Sequence, residues 1–273
     1  MSRALILGGG GVAGIGWEAG LVTGLRERGV DLGEADLIVG TSAGSVVGTM
    51  IRQKADMREL VSQVAEAEAD AAPMVVDMEK VMEAFMFMFD TKADPVESRR
   101  KIGELAMQVT GDGSRLAQIA DRLPSHEWPA EPLMITTVDA EDGSFHVWKA
   151  DSDVPLPLAV ASSCCVPCVF PPVEIGGRHY IDGGVHSITN ADLAAGHDRV
   201  VIIEPLGHLT PRSTLRAELE RLGAAETVAL GPDQPAIEAF GIDVLNPGLW
   251  LPAFEAGLRQ APEVADQVAE VWK

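Results

Sequence analysis

Ala35-Asp36-Leu37-Ile38-Val39-Gly40-Thr41-Ser42-Ala43-Gly44 is the stretch that decides how this chain reads. Ala35 to Val39 has the length and apolar content of a short buried strand, Gly40 and Thr41 break it, and Ala43 to Ile51 resumes as a helix. Ser42 therefore falls at a strand-to-helix junction, inside a G-x-S-x-G pattern bounded by Gly40 and Gly44. Such a turn exposes a serine hydroxyl, and small neighbours keep the sharp bend free of clashes. The N-terminus of the following helix adds N–H donors and a field that favours an anion. Ser42 is the candidate nucleophile.

Upstream, Ala4 to Leu7 is a second short apolar run, ended by Gly8-Gly9-Gly10-Gly11-Val12-Ala13-Gly14, and helical periodicity extends from about Ala13 to Arg28. The glycines satisfy G-x-G-x-x-G from Gly9 through Gly11 to Gly14. A dinucleotide site should, however, close its second strand with an acidic residue, where this chain has Val39-Gly40-Thr41-Ser42. Consecutive glycines let several backbone N–H groups converge on one anion beside a helix N-terminus. The oxyanion of an ester hydrolysis suits that cradle as well as a phosphate does. Gly9, Gly10 and Gly11 are the candidate donors.

A serine nucleophile needs a base, and two schemes are open. A triad places Asp or Glu and then His after the serine, and His186, His197 and His208 lie late enough to serve. A dyad needs only a carboxylate in contact with the serine. Asp182, in Tyr180-Ile181-Asp182-Gly183-Gly184-Val185, is the best carboxylate, because it ends an apolar strand and two glycines after it permit close approach. The same Asp-Gly-Gly step also makes an ordinary turn.

Strand-like runs recur at Leu133 to Val138, Phe145 to Trp148, Val173 to Ile175 and Val200 to Ile203, with helical patterns at Leu215 to Leu222, Ala236 to Phe240 and from about Gly248 onward. This alternation predicts one α/β domain over residues 1–273 with a central, mostly parallel sheet, without repeat or linker. Residues from about 55 to 116 read as a helical insertion. Met74, Met78, Met82, Phe85, Met86 and Phe89 recur there at helical spacing, and residues 55–104 hold 12 acidic against 6 basic side chains. The Met and Phe stripe is either core packing or an adaptable surface. Read as a lid, it makes Met82, Phe85 and Met86 the candidate contacts of an acyl chain.

The 273 residues are 47% hydrophobic and 23% charged, as expected of a globular protein, and the net charge of −20 argues against nucleic acid as a partner. Cys164, Cys165 and Cys168 are too clustered to staple a fold, which favours a reduced, cytoplasmic setting. Cys165 and Cys168 form C-x-x-C, but Phe170-Pro171-Pro172 prevents the helix that a redox motif opens, and no second ligand pair lies at a zinc spacing. Packing is their expected role, and neither metal nor cofactor is expected. No run approaches 18 consecutive apolar residues, so no transmembrane helix is expected.

Gly8 to Gly14, Gly40 to Gly44, the segment Ser163-Cys164-Cys165-Val166-Pro167-Cys168-Val169-Phe170-Pro171-Pro172-Val173 and Asp182-Gly183-Gly184 come in the order and rough spacing of the patatin-like phospholipases. The chain resembles that family over about residues 4 to 206. The resemblance implies a three-layer α/β fold and lipid acyl-ester hydrolysis, with transient contact at a membrane surface. It also implies Ser42 as nucleophile, Asp182 as its dyad partner and the glycine run as the oxyanion hole. The chain departs from the family at Ala13, where Arg or Lys is usual, and at Cys165 and Cys168, where small residues are common. The competing expectations are a Ser-Asp-His esterase, a transacylase using the same acyl-enzyme, and a non-catalytic module whose glycine loop holds an anion or nucleotide.

Overall fold

The computed structural model describes residues 1–69, 77–90, 92–111, 113–223 and 226–273. Its strands are β1 (Arg3–Leu7), β2 (Leu37–Gly40), β3 (Leu133–Asp139), β4 (Phe145–Trp148), β5 (Val173–Ile175), β6 (Arg178–Asp182), β7 (Arg199–Ile203) and β8 (Glu226–Leu230). Its first helices are α1 (Gly11–Glu27), α2 (Ala43–Arg52), α3 (Met57–Ala67), α4 (Met78–Met88) and α5 (Pro95–Ala106). α6 (Ser114–Asp121), α7 (Leu156–Ser163), α8 (Arg212–Leu222), α9 (Gln234–Phe240) and α10 (Trp250–Trp272) follow.

The sheet order is β5-β6-β3-β2-β1-β7-β8, with β4 also paired to β3. The five strands from β3 to β8 along that path run parallel, and β4, β5 and β6 pair antiparallel. Both faces are covered, which is why β1 and β7 are almost wholly apolar. Leu5 and Leu7 point into one core with Trp17 and Leu21 of α1, Val46 of α2 and Phe254 of α10. Ala4 and Ile6 point into the other, with Leu37, Val39, Leu215 and Leu222. Helices, sheet and helices make three layers, the arrangement that the resemblance implies.

Register sets the site. Gly40 pairs with Ile135, and Thr137, two residues on, pairs with Asp182. Ser42, two residues past Gly40, therefore stands level with Asp182 across the width of β3. The glycine run leaves the end of β1, adjacent to β2, so the three sequence motifs meet at the carboxyl ends of parallel strands, where open α/β sheets hold ligands. Among the described residues no helix is long and apolar enough to cross a membrane.

α1 and α10 are joined by a buried polar contact. Trp17 Nε1 donates to Gln260 Oε1 at 3.0 Å, and Gln260 Nε2 donates to the Gly231 carbonyl at 2.9 Å. Gln260→Leu leaves the indole N–H without an acceptor, and should lower the unfolding free energy in urea by about 1–3 kcal/mol. Because Gln260 lies outside the cavity described below, the ester-cleaving activity proposed later should survive the change.

Candidate active site

Ser42 occupies the bend between β2 and α2 with φ 53° and ψ −117°. A non-glycine residue in that region carries about 1–3 kcal/mol of strain and persists only where its surroundings over-determine it. The bend is close-packed: a Cβ at Gly44 would lie 2.1 Å from the Leu7 carbonyl oxygen. Three consecutive residues at and after the end of α7 hold the rest. Ser163 Oγ accepts the Ser42 N–H at 2.9 Å, Cys164 Sγ donates to the Ser42 carbonyl at 3.3 Å, and the Cys165 carbonyl accepts the Asp182 N–H at 2.9 Å. A second tie runs through Asn190, whose Nδ2 donates to Thr41 Oγ1 at 3.0 Å and to the Ser187 carbonyl at 2.6 Å.

Asp182 is buried at the end of β6, and its Oδ1 accepts the Gly184 N–H at 2.7 Å. Burial pushes its carboxyl up to about 7, against the opposing pull of hydrogen bonds from the Ser42 side chain and Gly184. A carboxyl that titrates near neutrality beside a serine hydroxyl is suited to general-base work. Burial also raises the Cys164 thiol to about 12, with the Asp182 charge as a second cause, so this cysteine is a neutral wall and not a competing nucleophile.

In the glycine run, Gly11 begins α1 with φ 61°, a left-handed conformation that favours glycine. Among the described residues the N–H groups of Gly10 and Gly11 meet no acceptor, whereas the Gly8 N–H donates to Ile203 at 2.9 Å. A cavity of about 140 Å³ brings together Ser42, Gly11 and Cys164, with apolar walls that include Val12, Ile119, Phe170 and Leu245. That is room for a group about the size of benzene, so most of any lipid chain would extend beyond it.

The sequence model of the patatin-like phospholipases matches residues 5–195. The chain belongs to that family. No curated protein sequence matches it. Among solved structures, VipD from Legionella pneumophila is similar over 97% of this chain and 66% of its own, with 13% identity and a TM-score of 0.49. The type III effector protein ExoU is similar over 97% of this chain and 53% of its own, with 18% identity and a TM-score of 0.38. This patatin-like chain thus spans about two thirds of the first protein and about half of the second.

Two of the sequence-based site assignments change in this patatin-like fold. The Gly9 N–H is already given to the Ile188 carbonyl at 2.9 Å, so it is not free to receive an oxyanion. Met82, Phe85 and Met86 do not line the cavity beside Ser42. The inward positions of α4 are Val81, Ala84, Phe87 and Met88, which turns Met82 and Met86 outward at 57% and 72% exposure. Met74 lies outside the described residues. Ala13 is fully buried and does not line the cavity either.

The rings of His186 and His197 are engaged by other partners. His186 stacks on Phe145 with ring centroids 4.0 Å apart, and its Nδ1 is 2.6 Å from Asn190 Oδ1. Burial lowers its pKa. His197 Nδ1 is 3.0 Å from the Ala194 carbonyl. No hydrogen bond from either ring reaches Ser42 or Asp182. Among the described residues no three His, Cys, Asp or Glu side chains gather as metal ligands would. All three cysteines are buried and free.

The residues that sequence reasoning passed over are Ser163 and Asn190, which hold the bend, and Arg122, Glu68 and Trp250, which line the cavity. Ser163 stands in the proline-rich motif, but nothing in its pattern announces a partner 121 positions away. Ser163→Ala removes the acceptor of a buried N–H under a strained residue, and should cost about 1–3 kcal/mol in urea unfolding.

Proposed function

We propose that this chain is a serine lipid acyl hydrolase that cleaves carboxylic esters of phospholipids through an acyl-enzyme. The observation that carries the reading is that the strained Ser42 bend and the buried Asp182 carboxyl are held by the same three residues, Ser163, Cys164 and Cys165. The cavity that opens onto Ser42 and the family match support it.

In the proposed reaction Asp182 accepts the Ser42 hydroxyl proton as Oγ attacks the ester carbonyl carbon. The N–H groups of Gly10 and Gly11, unpaired among the described residues, receive the oxyanion of the tetrahedral intermediate. The carbon–oxygen bond to the alcohol breaks, and the leaving alkoxide takes the proton from Asp182. Water then gives a proton to Asp182 and attacks the acyl-enzyme; as the ester bond to Oγ breaks, Oγ takes that proton from Asp182, which releases the fatty acid and restores Ser42. An alcohol in place of that water turns the same intermediate to transacylation. A two-residue mechanism accords with the histidine contacts, since the ring of His186 is engaged by Asn190 and that of His197 by Ala194. Ala67 at the end of α3 and Glu68 just after it line the cavity, which supports reading the helical insertion as cover over the site.

Fluorophosphonate labelling tests the nucleophile: wild type is expected to label, and Ser42→Ala is not. Labelling that persists in Ser42→Ala removes Ser42 from the reaction, and no labelling of wild type favours the non-catalytic anion-binding reading. Asp182→Asn should lower kcat on short-chain esters by about 10⁴-fold, while alanine at His186, His197 or His208 keeps most of the activity. Loss on changing one histidine in a folded protein would establish the triad.

The pH dependence has a definite sign. Asp182 must be ionised to act, so kcat/KM should rise with pH and level off above about 7. Its folded pKa is raised, so the folded state holds the proton more tightly than the unfolded chain, whose aspartate has a pKa of about 3.9. The stability that this lends is present below that value and is lost as pH rises through the folded pKa. Asp182→Asn should therefore gain stability relative to wild type as the pH rises from about 4 to about 7, measured by urea unfolding of both proteins.

A further inference from the structure

The cavity beside Ser42 has one polar corner that the ester chemistry does not use. Among the described residues, the charged side chains lining it are Arg122, just after α6, and Glu68, just after α3. Arg122 Nη1 and Glu68 Oε1 form an ion pair, and Trp250 Nε1 donates to Glu68 Oε2 at 2.9 Å. Both side chains are largely withdrawn from solvent, Arg122 at 28% and Glu68 at 17% exposure. Gln118 and Trp250 line the same cavity.

A guanidinium has five N–H donors, and Nη1 is the nitrogen of Arg122 engaged here. The remaining fork suits a phosphate, which arginine binds through paired charge-assisted hydrogen bonds. A lone anion would draw Arg122 from Glu68 and leave a sheltered carboxylate short of its cation, which is costly. A ligand bearing both a phosphate and an ammonium avoids that cost, because it replaces one internal ion pair with two across the interface. The indole of Trp250, fixed through its own N–H, adds an aromatic surface for the ammonium. The chain's net charge of −20 works in the same direction, against a substrate with net negative charge.

We propose that this corner is a headgroup subsite, in which Arg122 takes the phosphate and Glu68 the ammonium of a zwitterionic glycerophospholipid. The assignment rests on the serine hydrolase reading for its place in catalysis.

The test compares lysophosphatidylethanolamine, lysophosphatidylglycerol and monoacylglycerol carrying the same acyl chain. Arg122→Gln should raise KM for the ethanolamine lipid about tenfold or more, the cost of one charge-assisted hydrogen bond, and raise that for monoacylglycerol by clearly less. Arg122→Lys should recover part of the loss. Wild type should favour the ethanolamine lipid over the glycerol one, and Glu68→Gln should erase that preference. Equal losses on all three substrates, or a wild-type preference for lysophosphatidylglycerol, overturn the subsite.

A binding measurement separates this proposal from the hydrolase reading. Glycerophosphoethanolamine should bind Ser42→Ala protein in calorimetry and fail to bind once Arg122→Gln is added. Such binding without any turnover by wild type would keep the subsite and sink the hydrolase. Binding indifferent to Arg122→Gln, or inorganic phosphate binding as tightly, overturns the headgroup assignment.

Discussion

The site depends on one short bridge. Ser163, Cys164 and Cys165 touch Ser42 at its N–H, Ser42 at its carbonyl and Asp182 at its N–H, so the bend and the carboxylate are positioned by the same three residues. Ser42 and Asp182 belong to strands separated by β3, and its strained backbone gives Ser42 no intrinsic reason to stay where it is. Hydrogen bonds inside a dry interior are hard to exchange for water, so a bridge made there sets geometry more firmly than one at the surface. Thr41, Thr136 and Asn190 form a second buried group beneath it, with Thr136 Oγ1 2.9 Å from Thr41 Oγ1.

Placing a carboxyl in that interior works against stability and, in the proposed reaction, in favour of chemistry. An exposed aspartate is a weak base at neutral pH, whereas burial lifts Asp182 to about 7, where proton uptake and release are both feasible. The neighbouring wall is kept free of competing charge. Cys164 stays a thiol, the His186 ring is turned to Asn190, and Arg122 and Glu68, the charged side chains that line the cavity among the described residues, face each other. The proposed headgroup subsite follows from that economy, because a cavity with few charges reveals the purpose of those it has.

Much of the fold was legible because its strands are short and apolar and several are bounded by glycines, as β1 is by Gly8 and β6 by Gly177 and Gly183. The elements at 145–148 and 173–175 coincide with their sequence readings, and β2, β3 and β7 differ by a residue or two at their ends. β8, Glu-Thr-Val-Ala-Leu, went unread because two of its five residues are exposed edge positions and its apolar content is low. α7 went unread for the opposite reason: it is apolar on nearly every face, so it has no helical period to detect. In α4 the period was real, but both of its faces carry large apolar residues, and spacing could not say which one turns inward.

For the site, local sequence determined the parts that are local in cause. A serine in a small-residue bend, a glycine run before a helix and an aspartate ahead of two glycines each follow from backbone sterics over a few residues. What only the tertiary structure decided is which groups remain free and which meet. Gly9 loses its N–H to Ile188, Ser42 finds Ser163, and Arg122 faces Glu68 across a cavity built from helices distant in sequence. Those outcomes depend on sheet register and helix packing, which sum interactions over the whole chain, and no window of residues contains them.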